Sequence, residues 1–198
     1  PSHWKINSYS EVLTKGVLKK ITPVLGKENL IELQLIAEDT AKNAGALIQK
    51  EKIKGFATEH KKVGSSEASQ IVTMVDRVVE AFILVALESS IKKFDLGVLT
   101  EEKTDNGSRF EKEYFWCIDP LDGTLPFTEG ESGYSVSIAL VSKKGESVLG
   151  VVFDPVENVL YSSVKGLGAT KNGEKLTKST NKYSKFTLVT DRSFATSG

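Results

Sequence analysis

The apolar residues of this 198-residue chain change their spacing near Asp95, from helical steps to strand-like runs, and that break limits what each half can become. Upstream, from Glu28 to Lys52, Leu33, Ile36, Ala37, Ala41, Ala44, Leu47 and Ile48 fall three or four residues apart with charges between them. That spacing predicts an amphipathic helix. A second stripe, Val75, Val78, Val79, Phe82, Ile83, Ala86, Leu87 and Ile91, predicts a helix from near Asp76 to about Lys93, with Thr73 or Asp76 as its cap. The polar stretch Lys61 to Ser69 reads as a loop, and residues 1–27 as an N-terminal extension with helical spacing from Ser8 to Ile21.

Downstream, short runs suit strands: Leu96 to Leu99, Tyr114 to Ile118, Tyr134 to Ser142, Val148 to Asp154, Val159 to Val164 and Phe186 to Thr190. In Tyr134 to Ser142 the alternation of Tyr, Val, Ile and Leu with Ser, Ser, Ala and Val predicts one face buried more deeply than the other. Lys144-Gly145, Pro155 to Asn158 and Asn172-Gly173 supply turns, the last a hairpin signal. Gly166 and Gly168 fit hairpins better than a dinucleotide loop, because no helix follows them. The expected class is α+β: two N-terminal helices packed on a largely antiparallel sheet as a layered αβ sandwich.

Lys and Arg equal Asp and Glu at 26 each, which argues against non-specific binding to a nucleic-acid polymer and leaves a local phosphate pocket open. Lys61-Lys62 and Lys143-Lys144 read as solvated surface, as do His3 and His60. With Cys117 as its one cysteine the chain forms no internal disulfide and no cysteine-based zinc site, and Cys117 reads as a packing residue. No apolar run is long enough to span a bilayer, and the first 30 residues lack a signal-peptide pattern. A cytoplasmic protein with no membrane partner is the expectation.

In FWCIDPLDGTLPF, Phe115 to Phe127, an apolar strand runs into Asp119 and Asp122, followed at once by Gly123 and Thr124. Two ionised carboxylates converging at a strand end need a compensating cation, and a hard divalent ion such as Mg²⁺ takes such oxygen ligands. Gly123 has no side chain to obstruct a ligand, Thr124 offers a hydroxyl, and a short helix starting here would present free N–H groups to a phosphate oxygen. Glu101-Glu102 follow another strand end, and Asp76 follows Ile71-Val72-Thr73 at the expected helix start. Taken singly, a Glu pair is usually surface charge and an Asp opening a helix is usually a cap.

VTMVDRVVE, LTEEK, WCIDPLDGT, GYSVSIALV and GVVFDPVENVLYSSVKGLGATKNGEKL together resemble the inositol monophosphatase superfamily of magnesium-dependent, typically lithium-sensitive phosphatases, over about residues 28–191. By that resemblance Glu101, Asp119, Asp122 and the Leu121 carbonyl match metal ligands, with Glu102 the second member of its pair. Asp76, Glu101 and Thr124 match the residues that position and activate the attacking water, and Asp122, Gly123 and Thr124 match the phosphate site. The implied reaction is direct hydrolysis of a small phosphomonoester with two or three Mg²⁺ and no phosphoenzyme. Family members are commonly dimers, so a homodimer is the implied assembly.

Two departures stand out. Thr100 occupies a position where the family often has Gly, and the C-terminal α/β half, with its Trp-Asp motif, is absent before Gly198. The resemblance therefore implies that residues 28–198 are the N-terminal lobe of a longer enzyme. Haloacid-dehalogenase phosphatases separate their aspartates by one residue, whereas Pro120 and Leu121 both intervene here. Asp-Pro-Leu-Asp-Gly-Thr leans towards the 3'(2'),5'-bisphosphate nucleotidases. An inositol-1-phosphate phosphatase is the alternative within the family, and a non-catalytic binding or regulatory homologue the alternative outside catalysis.

Overall fold

A computed structural model of the chain describes residues 25–58 and 65–177. Two long helices, α1 (Lys27–Thr58) and α2 (Ser65–Phe94), precede a seven-stranded sheet whose strands lie in chain order. The strands are β1 (Gly97–Thr100), β2 (Tyr114–Asp122), β3 (Ser135–Ser142), β4 (Ser147–Asp154), β5 (Val159–Val164), β6 (Gly168–Lys171) and β7 (Glu174–Lys175). Short helices α3 (Ser108–Glu111) and α4 (Thr124–Thr128) lie in the two connections that flank β2. β1 pairs parallel with β2, and every later pair is antiparallel. The expected α+β class, two helices on a largely antiparallel sheet, is the observed one.

Both predicted helices form, and their buried positions are those of the stripes: Leu33, Ala37, Ala41, Ala44 and Ile48 on α1, Val75, Val79, Ile83 and Leu87 on α2. These meet Trp116, Ile118, Val136, Ile138, Leu140, Leu149, Val151 and Phe153 in one continuous core. The small residues of α1 bring its backbone down onto the sheet. At Gly45 the approach is closest, since a β-carbon there would stand 2.5 Å from a ring carbon of Phe153. The buried Trp116 indole donates to Ser90 Oγ at 3.1 Å, and Ser90 in turn donates to the Leu87 carbonyl at 2.6 Å, so its one polar atom is satisfied.

Two expectations change, and two strands were not expected. Helix α2 starts at Ser65, so the expected loop over residues 65–69 is helical and Thr73 and Asp76 lie well inside the helix, not at its cap. The reason is local: Gly64 precedes this stretch, and Ser-Ser-Glu-Ala-Ser-Gln contains no breaker. Strand β2 does not stop at Asp119. It continues to Asp122 through a register shift, with Asp119 opposite Ser137 and Asp122 opposite Ser135, so Pro120 and Leu121 form a bulge, not a turn. Finally, Asn172-Gly173 is the predicted hairpin, with φ of 49° and 82°, but its short polar strands β6 and β7 had no apolar run to mark them.

The predicted alternation in β3 is observed: Val136, Ile138 and Leu140 are buried, while Ser135, Ser137, Ala139 and Val141 are half-buried on the other face. Lys143 and Lys144 are exposed. The extension over residues 1–24, the strand Phe186 to Thr190, His3, His60 and Lys61-Lys62 lie outside the described residues. No helix among the described residues is long and apolar enough to cross a membrane.

Candidate metal and phosphate site

Parallel pairing puts the carboxyl ends of β1 and β2 at the same edge of the sheet. Thr100 pairs with Ile118, which sets the next residues, Glu101 and Asp119, side by side. The Glu101 N–H donates to the Ile118 carbonyl at 3.2 Å, continuing the ladder one step beyond the strand. Thr100, in place of the family's frequent Gly, is buried in the strand and absent from the positive-φ residues, so a β-branched side chain suits it.

The bulge then turns the chain. The Leu121 N–H donates to Asp119 Oδ1 at 3.1 Å, and the Thr124 hydroxyl donates to the Leu121 carbonyl at 3.4 Å. Gly123 opens α4 at φ 89°, and a β-carbon on it would lie 2.5 Å from the Gly133 carbonyl oxygen and 3.0 Å from Tyr134 Cα. Only glycine fits there, for its positive φ and for the backbone above it. Gly133 and Tyr134 thus form a roof over the Asp122-Gly123-Thr124 turn. Tyr134 is buried, its ring stands edge-on to Phe127 of α4, and its hydroxyl accepts from Gln49 Nε2 at 2.9 Å and Lys52 Nζ at 3.3 Å of α1.

Helix α2 supplies the third wall. From the tight connection at Asp95 it runs back along the sheet, packed against β2, and the 14 helical steps from Phe94 bring Glu80 to the segment just beyond β1. Asp76 and Glu80, one helical turn apart, both face inward and are buried. The Glu102 N–H donates to Glu80 Oε2 at 3.2 Å, and Lys103 Nζ lies 3.5 Å from Glu80 Oε1. Glu80 was not among the residues expected to form the site. Its signal was the i, i+4 step from Asp76 beside the buried stripe Val75, Val79 and Ile83.

The carboxylates feel one another. Burial, then the charges of Glu102, Glu101 and Glu80, push Asp76 up to about 7. Burial, then the charge of Glu101 and a hydrogen bond with it, then Asp122, push Asp119 up to about 7, against the pull of the Leu121 N–H. Six acidic side chains from three segments therefore share one region, with Lys103 against Glu80 as an ion-paired cation in it. Glu101 and Asp119 are neighbours at the ends of paired strands and act on one another by charge and hydrogen bonding, whereas Asp122 acts on Asp119 through its charge. No group of three or more His, Cys, Asp or Glu among the described residues is gathered closely enough to hold a metal ion. All-carboxylate donors under mutual repulsion fit the chemistry of a hard divalent cation, and their present spacing does not enclose one. Cys117, two residues before Asp119, is half-buried, and burial together with the Asp119 charge pushes its thiol up.

The inositol monophosphatase family model matches residues 29–197. The Nus factor SuhB of Escherichia coli K12 is 37% identical over 145 residues, which cover 73% of this chain and 52% of that protein. An inositol monophosphatase from Anabaena (Nostoc) sp. PCC 7120 superposes with a TM-score of 0.59 at 29% identity, over 77% of this chain and 50% of that one. A 2'AMP-bound structure of SaIMPase-II gives a TM-score of 0.59 at 26% identity, over 73% and 50%. The chain spans about half the length of the curated relatives it matches. By sequence and by fold, this chain belongs to the inositol monophosphatase family.

Proposed function

We propose that residues 28–198 contribute the N-terminal lobe of a magnesium-dependent phosphomonoester hydrolase. The observation that carries this reading is the meeting of Glu101 with Asp119 at the parallel edge of β1 and β2, with Asp122 acting on Asp119 and the buried Asp76 feeling the charge of Glu101. Glu101, Asp119, Asp122 and the Leu121 carbonyl would hold Mg²⁺. When bound, the ions would supply charge neutralisation and an activated water for attack on phosphorus. Asp76 and Thr124 would orient that water, and the Gly123 turn, kept free of a side chain by the Gly133 carbonyl, would leave room for phosphate oxygens.

Within the family the substrate reading leans to a 3'(2'),5'-bisphosphate nucleotide. Leu121 within Asp-Pro-Leu-Asp-Gly-Thr supports it, and the 2'AMP bound to SaIMPase-II is compatible with a nucleotide ligand in a relative. Inositol 1-phosphate is the second candidate. The test is phosphate release by the full-length gene product from adenosine 3',5'-bisphosphate, inositol 1-phosphate and fructose 1,6-bisphosphate, with and without Mg²⁺ and with Asp122→Asn as control. The expected result is magnesium-dependent release, fastest from the bisphosphate nucleotide and lost in the variant. No release from any of the three sinks the hydrolase reading and favours a non-catalytic role. The name Nus factor carried by the curated relatives supports that second reading, and with it a partner beyond small phosphates.

A further inference from the structure

We infer that Glu80 is a positioning residue for the metal ligand Glu101, acting through the backbone of the Glu101–Lys103 segment; the inference rests on the metal-site reading above. Glu80 is 1% exposed, the only charged side chain among the largest fully buried ones in the described residues. A carboxylate that deep is retained at a desolvation cost unless its oxygens are used. Both are: Oε2 accepts the Glu102 N–H at 3.2 Å, and Oε1 faces Lys103 Nζ at 3.5 Å. The preceding amide, Glu101 N–H, is held by the Ile118 carbonyl of β2 at 3.2 Å.

Two successive peptide groups are thus fixed to two different elements, one to the strand that carries Asp119 and one to the helix that carries Asp76. The Cα of Glu101 lies between them, so the direction in which its side chain leaves the backbone is set by both anchors. Without the helix anchor the segment beyond β1 would keep only its strand contact, and Glu101 would be free to swing away from Asp119, relieving their repulsion. Glu80 opposes that relaxation. The anchoring function lies in its hydrogen-bond acceptor, which a glutamine retains and a leucine of similar size does not.

The test compares Glu80→Gln and Glu80→Leu in the 198-residue chain, with Lys103→Met as a third variant. Two readouts are taken: amide hydrogen exchange at Glu101 to Lys103 in metal-free protein, and Mn²⁺ affinity from calorimetric titration. Glu80→Leu is expected to speed exchange of the Glu102 amide and weaken Mn²⁺ binding by about tenfold or more, while Glu80→Gln stays within about threefold of the parent. Lys103→Met is expected to follow Glu80→Gln, because the ammonium is exposed and touches only the second oxygen. Equal losses in Glu80→Gln and Glu80→Leu would overturn the inference by assigning the effect to charge. Unchanged exchange and affinity in a folded Glu80→Leu would overturn it by leaving Glu80 a packing residue. If Glu80→Leu does not fold, a Glu80→Gln variant with tenfold faster exchange at Glu102 overturns it equally. A parent chain that protects the Glu102 amide yet binds no Mn²⁺ would sink the metal-site reading itself, a result distinct from either of the others.

Discussion

Asp119 meets the charges of Glu101 and Asp122 in a half-buried setting, and without a cation its simplest relief is to keep a proton up to about pH 7. Asp76 does the same for its own reasons, burial first. Both values stand above the ordinary 3.8, so between about pH 4 and 7 the native chain holds more protons than the unfolded one, and stability falls as pH rises through that window. Asp105 and Glu146, shifted the other way at the surface, are ionised in both states above pH 5 and do not mask the trend. The expected result is a metal-free melting temperature that declines from pH 5 to pH 8, and a divalent-ion affinity that rises over the same interval with proton release, read by calorimetry in two buffers of different ionisation enthalpy. Asp119→Asn should stabilise the metal-free chain at pH 8 by on the order of 1 kcal/mol, the scale of a close like-charge pair in a partly solvated site. The same substitution should remove the thermal shift produced by Mg²⁺. A variant that is less stable than the parent at pH 8 would contradict the repulsion inferred here.

At the scale of elements, the roof over the Asp122-Gly123-Thr124 turn depends on contacts that join β3, α4 and α1. Gly123→Ala puts a methyl group 2.5 Å from the Gly133 oxygen at φ 89° and is expected to cost about 2 kcal/mol or more in chemical denaturation. Tyr134→Phe removes the acceptor used by Gln49 and Lys52, at about 1 kcal/mol. Combined with Lys52→Met it should cost less than the sum of the two, since Lys52 acts largely through that hydroxyl and the Phe127 and Tyr134 rings. Additive losses would place Lys52 elsewhere in the energetics. Much of this architecture was legible beforehand: the apolar stripes located both helices, and the Asp119 to Thr124 motif located the turn. The start of α2 was not, because a polar Ser-rich stretch reads as loop until a long helix is seen to continue through it. The bulge was hidden by Pro120, which reads as a strand stop although it sits buried at an irregularity that needs no ladder N–H. Glu80 was hidden because a glutamate near a helical stripe is assigned to solvent until the helix phase and its neighbours are known.

For the molecule as a whole, a single core links both helices to the sheet, with Trp116 at its centre and within hydrogen-bonding reach of α2. In a Trp4→Phe background, unfolding followed by Trp116 fluorescence should therefore coincide with loss of helical circular dichroism, and non-coincident transitions would show that helices and sheet are separable units. Connection length adds an order to the assembly. Strands β3 to β7 are joined by connections of four residues or fewer, whereas β2 is tethered by 13 residues on one side and 12 on the other. The long tethers make pairing of β2 with its neighbours entropically the most demanding step within the sheet. The expected order is hairpins first, with β3 as a template, and the aspartate-bearing strand last, to be read as late amide protection of β2 in pulsed hydrogen exchange during refolding. Nascent chains thereby keep their mutually repelling acids apart until a nearly finished scaffold is there to restrain them.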